Sequence, residues 1–294
     1  MEIGARPHLL GALAATGATG LGVAVMAWAQ APSGYVAVNL AALIIGLAIL
    51  ALLLRGGANV LRSAWLLPLS AAALLLTALL GQSIDGTARW VRIGAISIQP
   101  SLVLLPIMIM IFARSRSRAG LLAMVVTAVA LAMQPDRAMA GALFASMAAL
   151  ALCVRERSAG LALAAAAAAF ATALLRPDTL PPTPFVEQLF ADAFRMSVVA
   201  GLVLVAASAL LLLPMLALDR VGAVVFAALW VAMLLASVMG NYPTPLLGFG
   251  SSGILGYLLC LAALPECQRE AKGRSSKTAV PPNPDTGNRA LVMP

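Results

Sequence analysis

The chain has 294 residues, of which 62% are hydrophobic and only 10% are charged. Soluble domains of this size are typically about 45–50% apolar and about 25% charged, so the composition excludes a water-soluble globular enzyme. The 19 Lys and Arg residues outnumber the 11 Asp and Glu residues, which gives a formal net charge of +8. In a membrane protein this basic excess commonly orients the helices, so it does not by itself indicate a nucleic-acid partner.

Apolar runs between charged, Pro and Gly residues predict about ten transmembrane helices, because a bilayer core of about 30 Å needs roughly 20 apolar residues per helix. The fourth to sixth runs are short. We therefore expect an all-α polytopic membrane domain over residues 1–265 and a disordered tail over residues 266–294, which is rich in Pro, Ser, Lys and Arg. The predicted spans lie near residues 8–29, 35–54, 64–81, 99–113, 118–133, 138–153, 158–175, 196–218, 221–240 and 249–265.

The distribution of charge predicts that both termini are cytoplasmic. With this orientation, fourteen of the 19 basic residues fall on the cytoplasmic side, as the positive-inside rule requires. The outer side carries five basic and five acidic residues, whose charges cancel. The whole surplus of +8 therefore lies on the cytoplasmic side and reflects topology. A nucleic-acid partner therefore loses its main support. The outer charged residues are Arg89, Arg92, Arg137, Arg176 and Arg195 with Asp85, Asp136, Asp178, Glu187 and Asp192.

The first long outer segment, residues 82–101, combines Arg89, Trp90 and Arg92 with a proline at position 100. An interfacial connector explains these residue types, since Trp lies at the headgroup level, Arg side chains reach toward it, and Pro suits the first turn of a helix. It does not explain the order in which Gly, Ser and Gln accompany them.

The next outer segment, residues 134–137, reads Gln-Pro-Asp-Arg. Asp136 falls at the start of a predicted helix, where the helix dipole favours a negative charge. Local physics therefore predicts that Asp136 caps this helix.

The longest outer segment, residues 176–195, begins with four prolines and continues into a predicted helix that runs into the eighth span. Asp192 and Arg195 are three residues apart and are expected to pair within one helical turn. Glu187 has no comparable local partner in the sequence. A carboxylate at a helix start is more often a cap than a base, but Glu187 is the best catalytic candidate in the chain.

The last outer segment, residues 240–253, contains two prolines and four glycines, which exclude a continuous helix. Irregular backbone at membrane depth is tolerated only where it lines a cavity or is buried in protein. The composition therefore predicts a binding or re-entrant segment at least as well as a plain turn.

Taken together, these four segments resemble the motifs of the SEDS family (shape, elongation, division and sporulation), which comprises the FtsW, RodA and SpoVE proteins. The order of the motifs, their position on one side and the ten predicted spans are all similar to that family. The matching residues are Arg89-Trp90-Val91-Arg92-Ile93-Gly94 with Ser97-Ile98-Gln99-Pro100-Ser101, then Gln134-Pro135-Asp136, then Leu180-Pro181 with Val186-Glu187-Gln188-Leu189-Phe190-Ala191, and finally Pro245-Leu246-Leu247-Gly248-Phe249-Gly250-Ser251-Ser252.

The resemblance implies a peptidoglycan glycosyltransferase that polymerises lipid II, or another undecaprenyl-linked precursor, on the outer face of the bacterial cytoplasmic membrane. A class B penicillin-binding protein is the implied partner. Glu187 stands where the family has its essential Asp and would deprotonate the acceptor sugar hydroxyl, while arginines meet the departing diphosphate. No protein metal site is predicted, and Mg²⁺ or Mn²⁺ is the only cofactor left open. The implied substrate-binding residues are Arg89, Trp90, Arg92, Gln99, Ser101, Asp136, Arg137, Gly248, Gly250, Ser251 and Ser252.

Several departures from the family pattern leave alternatives open. Glu187 replaces Asp, Leu102 and Leu105 replace polar residues, and the long Gln- and Gly-rich stretch before the catalytic helix is missing. The first alternative is therefore a non-catalytic SEDS-like protein that binds a lipid-linked precursor or a cell-wall synthase. The second is a membrane transporter, suggested by the Pro- and Gly-broken segments, although neither an inverted repeat nor a charge at the centre of a span accompanies them.

Overall fold

The computed structural model describes residues 6–57, 61, 63, 65–84, 87–94, 96–176, 182–240 and 242–265. The tail over residues 266–294, predicted to be disordered, lies outside the described residues, as do Asp85 and Asp178. The division of the chain at residue 265 therefore stays a prediction.

Helices dominate the described residues, as expected from the long runs of Ala and Leu, which are strong helix formers. Ten of the helices correspond to the ten predicted spans, and one additional short helix, α8, precedes α9. The helices are α1 (Pro7–Trp28), α2 (Ser33–Leu52), α3 (Leu66–Leu80), α4 (Pro100–Ser115), α5 (Arg118–Met133), α6 (Arg137–Cys153), α7 (Arg157–Leu175), α8 (Leu189–Met196), α9 (Val198–Leu210), α10 (Arg220–Met239) and α11 (Ser251–Ala262).

The lengths and composition of these helices confirm an all-α polytopic membrane protein. Five helical stretches are long and apolar enough to cross a membrane, and the shorter apolar helices α3, α4, α5, α6 and α11 complete the set. Large apolar side chains such as Ile44, Leu80 and Leu152 are exposed on the outside of the bundle, as a lipid-facing surface requires. The five long stretches are Pro7–Trp28, Ser33–Gly56, Arg157–Leu175, Val198–Ala217 and Arg220–Met239.

Two predicted spans have different bounds in the structure. The span predicted over 196–218 is broken, because α9 ends at Leu210 and a 3₁₀ helix follows over Leu213–Ala217. Pro214 lies in this 3₁₀ helix, and its ring cannot continue an α-helix. The span predicted over 249–265 is shortened to α11, since the Gly-rich residues before Ser251 remain irregular.

The last helix, α11, is central to one half of the bundle and packs against α1, α2 and α4. Glycines allow these close approaches. A Cβ atom on Gly256 would lie 2.0 Å from the carbonyl oxygen of Leu102 in α4, and one on Gly46 of α2 would lie 2.5 Å from a methyl group of Leu258. Such contacts through small residues are typical of membrane helices.

The outer segment predicted as an interfacial connector contains a three-stranded antiparallel sheet instead. Its strands are β1 (Gln82–Ile84), β2 (Thr87–Ile93) and β3 (Ile96–Ile98), in the order β1-β2-β3. Val91 pairs with Ile98, and Gly94 makes the turn between β2 and β3 with a positive φ of 61°. The sheet lies directly before α4 and carries the first sequence motif.

Candidate functional site

Asp136 is the centre of a buried polar network at the outer end of the bundle. Its Oδ1 atom accepts a hydrogen bond from the backbone N–H of Met139 at 3.2 Å, so the predicted helix cap is confirmed. Its Oδ2 atom accepts hydrogen bonds from the Gln99 side-chain amide at 2.9 Å and from the Ser101 hydroxyl at 3.1 Å. The carboxylate is completely buried, and a buried carboxylate needs such donors to offset its desolvation.

The network extends to the last outer segment through Ser252. The backbone N–H of Gln99 donates to the Ser252 hydroxyl at 3.0 Å. Ser252 is buried in the first turn of α11, while Ser251 beside it is half-buried. Residues from three of the four motifs are therefore hydrogen-bonded to one another, although 153 positions separate Gln99 from Ser252.

Arg89 is buried in the protein and hydrogen-bonded to it. Only 3% of the residue is exposed. Its Nη2 atom donates to the carbonyl oxygen of Pro135 at 2.6 Å and its Nε atom to that of Gln134 at 3.3 Å. The guanidinium also lies 5.7 Å from the ring centroid of Tyr242. Arg89 therefore joins the sheet to the Gln-Pro-Asp-Arg segment.

Trp90 and Arg92 belong to the opposite face of strand β2, since alternate residues of a strand point to opposite faces. Both line a groove of about 490 Å³ between β2 and the outer end of α3, and Arg92 is exposed there. Arg89 and Arg92, both of which the resemblance implies bind substrate, are thus held on different sides of the sheet. The groove is lined by Leu76, Thr77, Leu80, Gly81, Trp90, Val91 and Arg92.

Glu187 ends a tight turn over residues 183–187, and helix α8 begins two residues later. The sequence offers Glu187 no charged partner one helical turn away, and in the structure its Oε2 atom accepts a hydrogen bond from the backbone N–H of Thr183 at 2.7 Å. The backbone N–H of Glu187 donates in turn to the Thr183 carbonyl at 3.2 Å. The side chain is half-buried. The predicted ion pair of Asp192 and Arg195 in α8 is confirmed at 2.9 Å.

The 183–187 turn is fixed to the last outer segment by two backbone hydrogen bonds. The N–H of Thr244 donates to the carbonyl oxygen of Val186 at 3.1 Å, and that of Phe249 donates to the carbonyl oxygen of Phe185 at 2.7 Å. Tyr35 of α2 covers the junction, with its ring stacked 3.9 Å from that of Phe249. Glu187 is therefore held beside the fourth motif.

The segment over residues 242–250, which we call the buried loop, is irregular and largely enclosed by protein. Tyr242, Thr244, Leu246 and Leu247 are all buried. This is the arrangement that irregular backbone at membrane depth requires, while a binding or re-entrant role for the segment stays a prediction. A Cβ atom on Gly22 of α1 would lie 2.3 Å from the carbonyl oxygen of Leu247, which shows how closely α1 packs against this loop.

Asn39 of α2 anchors the buried loop and was not predicted as a site residue. Its side-chain amide donates to the carbonyl oxygen of Gly248 at 2.9 Å, and its Oδ1 atom accepts from the N–H of Gly250 at 3.0 Å. The residue is completely buried. The sequence signal that could have identified Asn39 is its position inside an otherwise apolar span. A side-chain amide needs a hydrogen-bond partner where water is excluded.

Glycine occupies positions 248 and 250 for two different structural reasons. A Cβ atom on Gly248 would lie 3.0 Å from the carbonyl oxygens of both Phe185 and Val186, so a larger residue would push against the 183–187 turn. Gly250 has a φ of 153°, which residues with a Cβ rarely adopt.

Arg137 and Arg176 are bound to helix C-termini. Arg137 donates to the carbonyl oxygen of Ala173 at 3.2 Å and to that of Arg176, at the end of α7. Arg176 donates to the carbonyl oxygen of Met133 at 3.1 Å, at the end of α5. Positive charge at a helix C-terminus stabilises the helix, so both arginines have a structural role.

Two negative observations apply to the part of the chain that the structure describes. It contains no group of three or more His, Cys, Asp or Glu side chains that could hold a metal ion. Arg89 and Asp136 are its only buried Arg, Lys, Asp or Glu residues, and both lie outside the membrane helices. The charged path through the bundle that a transporter commonly uses therefore gains no support from these residues.

Comparison with known proteins identifies similarity to solved structures. No protein-family model matches the sequence, and no curated protein matches it. The crystal structure of the Thermus thermophilus rod shape determining protein RodA is similar with a TM-score of 0.58 and 20% identity, over 85% of this chain and 92% of RodA. A RodA structure with an aspartate-to-alanine substitution gives the same values over 93% of its chain.

A third similar structure is a chain of a peptidoglycan synthase complex that coordinates polymerization and crosslinking. Its TM-score is 0.54 and its identity 21%, over 85% of this chain and 95% of the other. At this identity the similarity shows the fold. The chain therefore has the fold of RodA, with its four outer motifs gathered at one end of the bundle.

Proposed function

We propose that the chain is a divergent SEDS protein of the bacterial cytoplasmic membrane that polymerises lipid II on the outer face. One observation carries the proposal: four segments far apart in sequence, each similar to a SEDS motif, are hydrogen-bonded together at one end of a RodA fold. Each charged or polar group beside the membrane costs free energy. Packing alone therefore gives no reason to gather such groups into one cluster.

In the proposed reaction, Glu187 accepts the proton of the acceptor sugar hydroxyl as that oxygen attacks the sugar carbon bonded to diphosphate. The hydrogen bond from Thr183 to Oε2 orients the carboxylate, and the attachment of the turn to the buried loop fixes its position. A correctly placed general base contributes about 10²–10⁴-fold to rate.

Of the two arginines in the first motif, Arg92 is the one assigned to the departing diphosphate, because it is exposed at the groove beside Trp90 whereas Arg89 is buried. A guanidinium can form two parallel hydrogen bonds to a phosphate group. Arg89 instead has a positioning role, since its guanidinium donates to the carbonyl oxygens of residues 134 and 135. The first motif would thus supply one arginine for substrate and one for structure.

A divalent cation does not fit a preformed protein site among the described residues. The buried carboxylate of Asp136 already accepts three hydrogen bonds and is completely enclosed. Mg²⁺ is commonly bound through one or two carboxylates plus substrate phosphates, so a cation would arrive with the diphosphate. No step of the proposal depends on it.

The test is polymerisation of fluorescent lipid II by the purified protein in lipid nanodiscs with Mg²⁺ or Mn²⁺. We expect polymer from the wild type and at least a 100-fold lower rate from Glu187→Gln, the lower limit for loss of a general base. Asp192→Asn is the matched control, because Asp192 is an exposed outer carboxylate of the neighbouring helix α8. Equal rates for Glu187→Gln and wild type would remove Glu187 from the mechanism.

A non-catalytic SEDS-like protein is the second candidate, and the hydrogen-bond pattern favours it specifically. Gln99, Ser101 and Asp136 bond to one another in the buried network, and Arg89 bonds to backbone carbonyls. In this candidate these residues shape a binding site, and Glu187 transfers no proton. The expected result is photocrosslinking to a lipid II probe without polymer formation, with Glu187→Ala crosslinking as well as the wild type.

A class B penicillin-binding protein is the proposed partner. The supporting finding is the similarity to a chain of a peptidoglycan synthase complex, in which polymerization and crosslinking are coordinated. Affinity purification of the tagged chain from its native membrane, followed by detection of the crosslinking enzyme with fluorescent penicillin, tests the association directly. A penicillin-labelled band that is retained with the wild type and absent from an untagged control is the expected outcome.

A further inference from the structure

A groove between α5 and α7 opens on the outside of the bundle, away from the four motifs. Its volume is about 400 Å³, and small residues form most of its walls, so the two helices leave space between them. Pockets of about 300–1,000 Å³ are the usual size for small-molecule ligands. The groove is lined by Val125, Ala128, Val129, Ala132, Met133, Ala165, Ala168, Ala169, Thr172 and Arg176.

The length of the groove matches one leaflet of a bilayer. Its α5 wall runs from Val125 to Met133 and its α7 wall from Ala165 to Arg176, which at 1.5 Å per residue gives about 12 Å and about 16 Å. Half of a hydrocarbon core of about 30 Å is about 15 Å. Both walls end at their helix C-termini, on the outer side of the predicted topology. The groove is therefore as deep as one acyl chain of an outer-leaflet lipid.

The outer end of the groove carries positive charge. Arg176 donates through Nη1 to the carbonyl oxygens of Ala132 and Met133, and Arg137 donates to the backbone carbonyl of Arg176. Neither arginine forms an ion pair within the part of the chain that the structure describes. Each helix C-terminus carries about −0.5 charge, so two arginines at two C-termini leave a net charge of about +1.

We propose that this groove binds one acyl chain of an anionic glycerophospholipid of the outer leaflet, with the lipid phosphate on Arg176 and Arg137. A guanidinium binds phosphate with paired hydrogen bonds. The Arg176 nitrogen that donates to the α5 carbonyls is Nη1, so the hydrogen bonds to phosphate would come from the other nitrogens of this guanidinium. The apolar walls select a lipid over a soluble phosphate. The site overlaps the implied substrate-binding residues only at Arg137, which directly follows the second motif, and it does not include Glu187.

The experiment is native mass spectrometry of the full chain released from phosphatidylcholine nanodiscs that contain increasing amounts of phosphatidylglycerol. We expect the wild type to retain one phosphatidylglycerol and Arg176→Gln to retain it about tenfold more weakly, as expected for loss of a charged hydrogen bond. Arg195→Gln is the matched control, because Arg195 is an outer arginine that pairs with Asp192 away from the groove.

A second pair of variants tests the groove itself without touching the arginines. Ala168→Leu fills the wall of α7 and is expected to lower retention to the same extent, whereas Ala171→Leu, on an exposed position of α7 outside the groove, leaves retention unchanged. Retention by Ala168→Leu and Arg176→Gln equal to the wild type overturns the proposal. Displacement of the lipid by inorganic phosphate alone also overturns it, because the acyl chain would then contribute nothing. No lipid II is used, so failure of the proposed polymerase activity does not affect this result.

Discussion

The Asp136 carboxylate shows how one residue can be both a local cap and a tertiary contact. One oxygen accepts from Met139 in the first turn of α6, and the other accepts from Gln99 and Ser101, which precede and begin α4. Removing the carboxylate would leave buried donors without acceptors. Each such donor costs about 1–3 kcal/mol, more than a typical hydrogen bond contributes.

We therefore predict that Asp136→Ala lowers the free energy of unfolding by about 3 kcal/mol, because several buried donors lose their acceptor. Asp136→Asn should cost less, since asparagine still caps a helix. Denaturant titration of the purified protein, followed by tryptophan fluorescence, measures the difference. Asp192→Ala is the control: its ion pair is exposed and should contribute under about 1 kcal/mol. Equal destabilisation by Asp136→Ala and Asp192→Ala would contradict the prediction.

Gly248 is a second position where one residue determines a larger arrangement. A Cβ atom there would lie 3.0 Å from two backbone oxygens of the 183–187 turn, and backbone cannot move as easily as a side chain. We predict that Gly248→Val separates the turn from the buried loop and lowers lipid II polymerisation at least tenfold, because a misplacement of about 1 Å can cost about 100-fold. Gly160→Val is the control, since nothing lies within 4 Å of its Cβ position.

At the scale of elements, the buried loop is held between α2 and the 183–187 turn. Asn39 binds it from one side, and the backbone of Phe185 and Val186 binds it from the other. The loop contributes neither helix nor strand of its own, so these few hydrogen bonds define its conformation. Loss of the hydrogen bonds from Asn39 should therefore also weaken the attachment of the loop to the 183–187 turn.

We predict that Asn39→Leu increases hydrogen exchange in residues 244–250 and in the 183–187 turn by about 30-fold, because two hydrogen bonds of about 1 kcal/mol each are lost. Exchange in α5 and α7 should not change. Ser146→Ala is a matched control, since Ser146 is also buried but bonds within its own helix to Ala142. An increase distributed evenly over the protein would contradict an anchoring role.

The separation of Arg89 and Arg92 follows from a strand, which the sequence analysis did not predict. If residues 82–101 formed an irregular interfacial connector, the two arginines could reach the same ligand. In β2 they are three residues apart, an odd spacing that places them on opposite faces. The signals for the sheet were present in the β-branched residues Val91 and Ile98 and in the turn at Gly94. They were less prominent than the Trp and Arg residues, which also suit a membrane interface.

At the scale of the whole molecule, the number of spans and the fold class could be predicted because both depend on local composition. An apolar run of sufficient length leaves few alternatives in a membrane. The contacts of the site could not be predicted in the same way. Asn39 lies 209 positions from Gly248, and nothing near Asn39 in the sequence identifies its partner. The Thr183 hydrogen bond to Glu187 depends on a tight turn that the surrounding prolines concealed.

The orientation of the bundle gives a prediction for the intact protein. In a variant whose three cysteines are replaced, we predict that Thr183→Cys reacts with a membrane-impermeant maleimide added to spheroplasts, because the predicted topology places the 183–187 turn outside. Arg118→Cys, at the exposed start of α5, should react only after permeabilisation. Labelling in the reverse order would invert the topology and place Glu187 on the wrong side for lipid II polymerisation.

The hydrogen bonds of Asn39 to the buried loop also constrain biosynthesis. The partners are 209 residues apart, and at about 5–20 residues per second the ribosome needs about 10–40 s to make the intervening chain. During that interval α2 is already made, with an amide that has not met its partner. Completion of the site is therefore one of the last events in the maturation of the molecule.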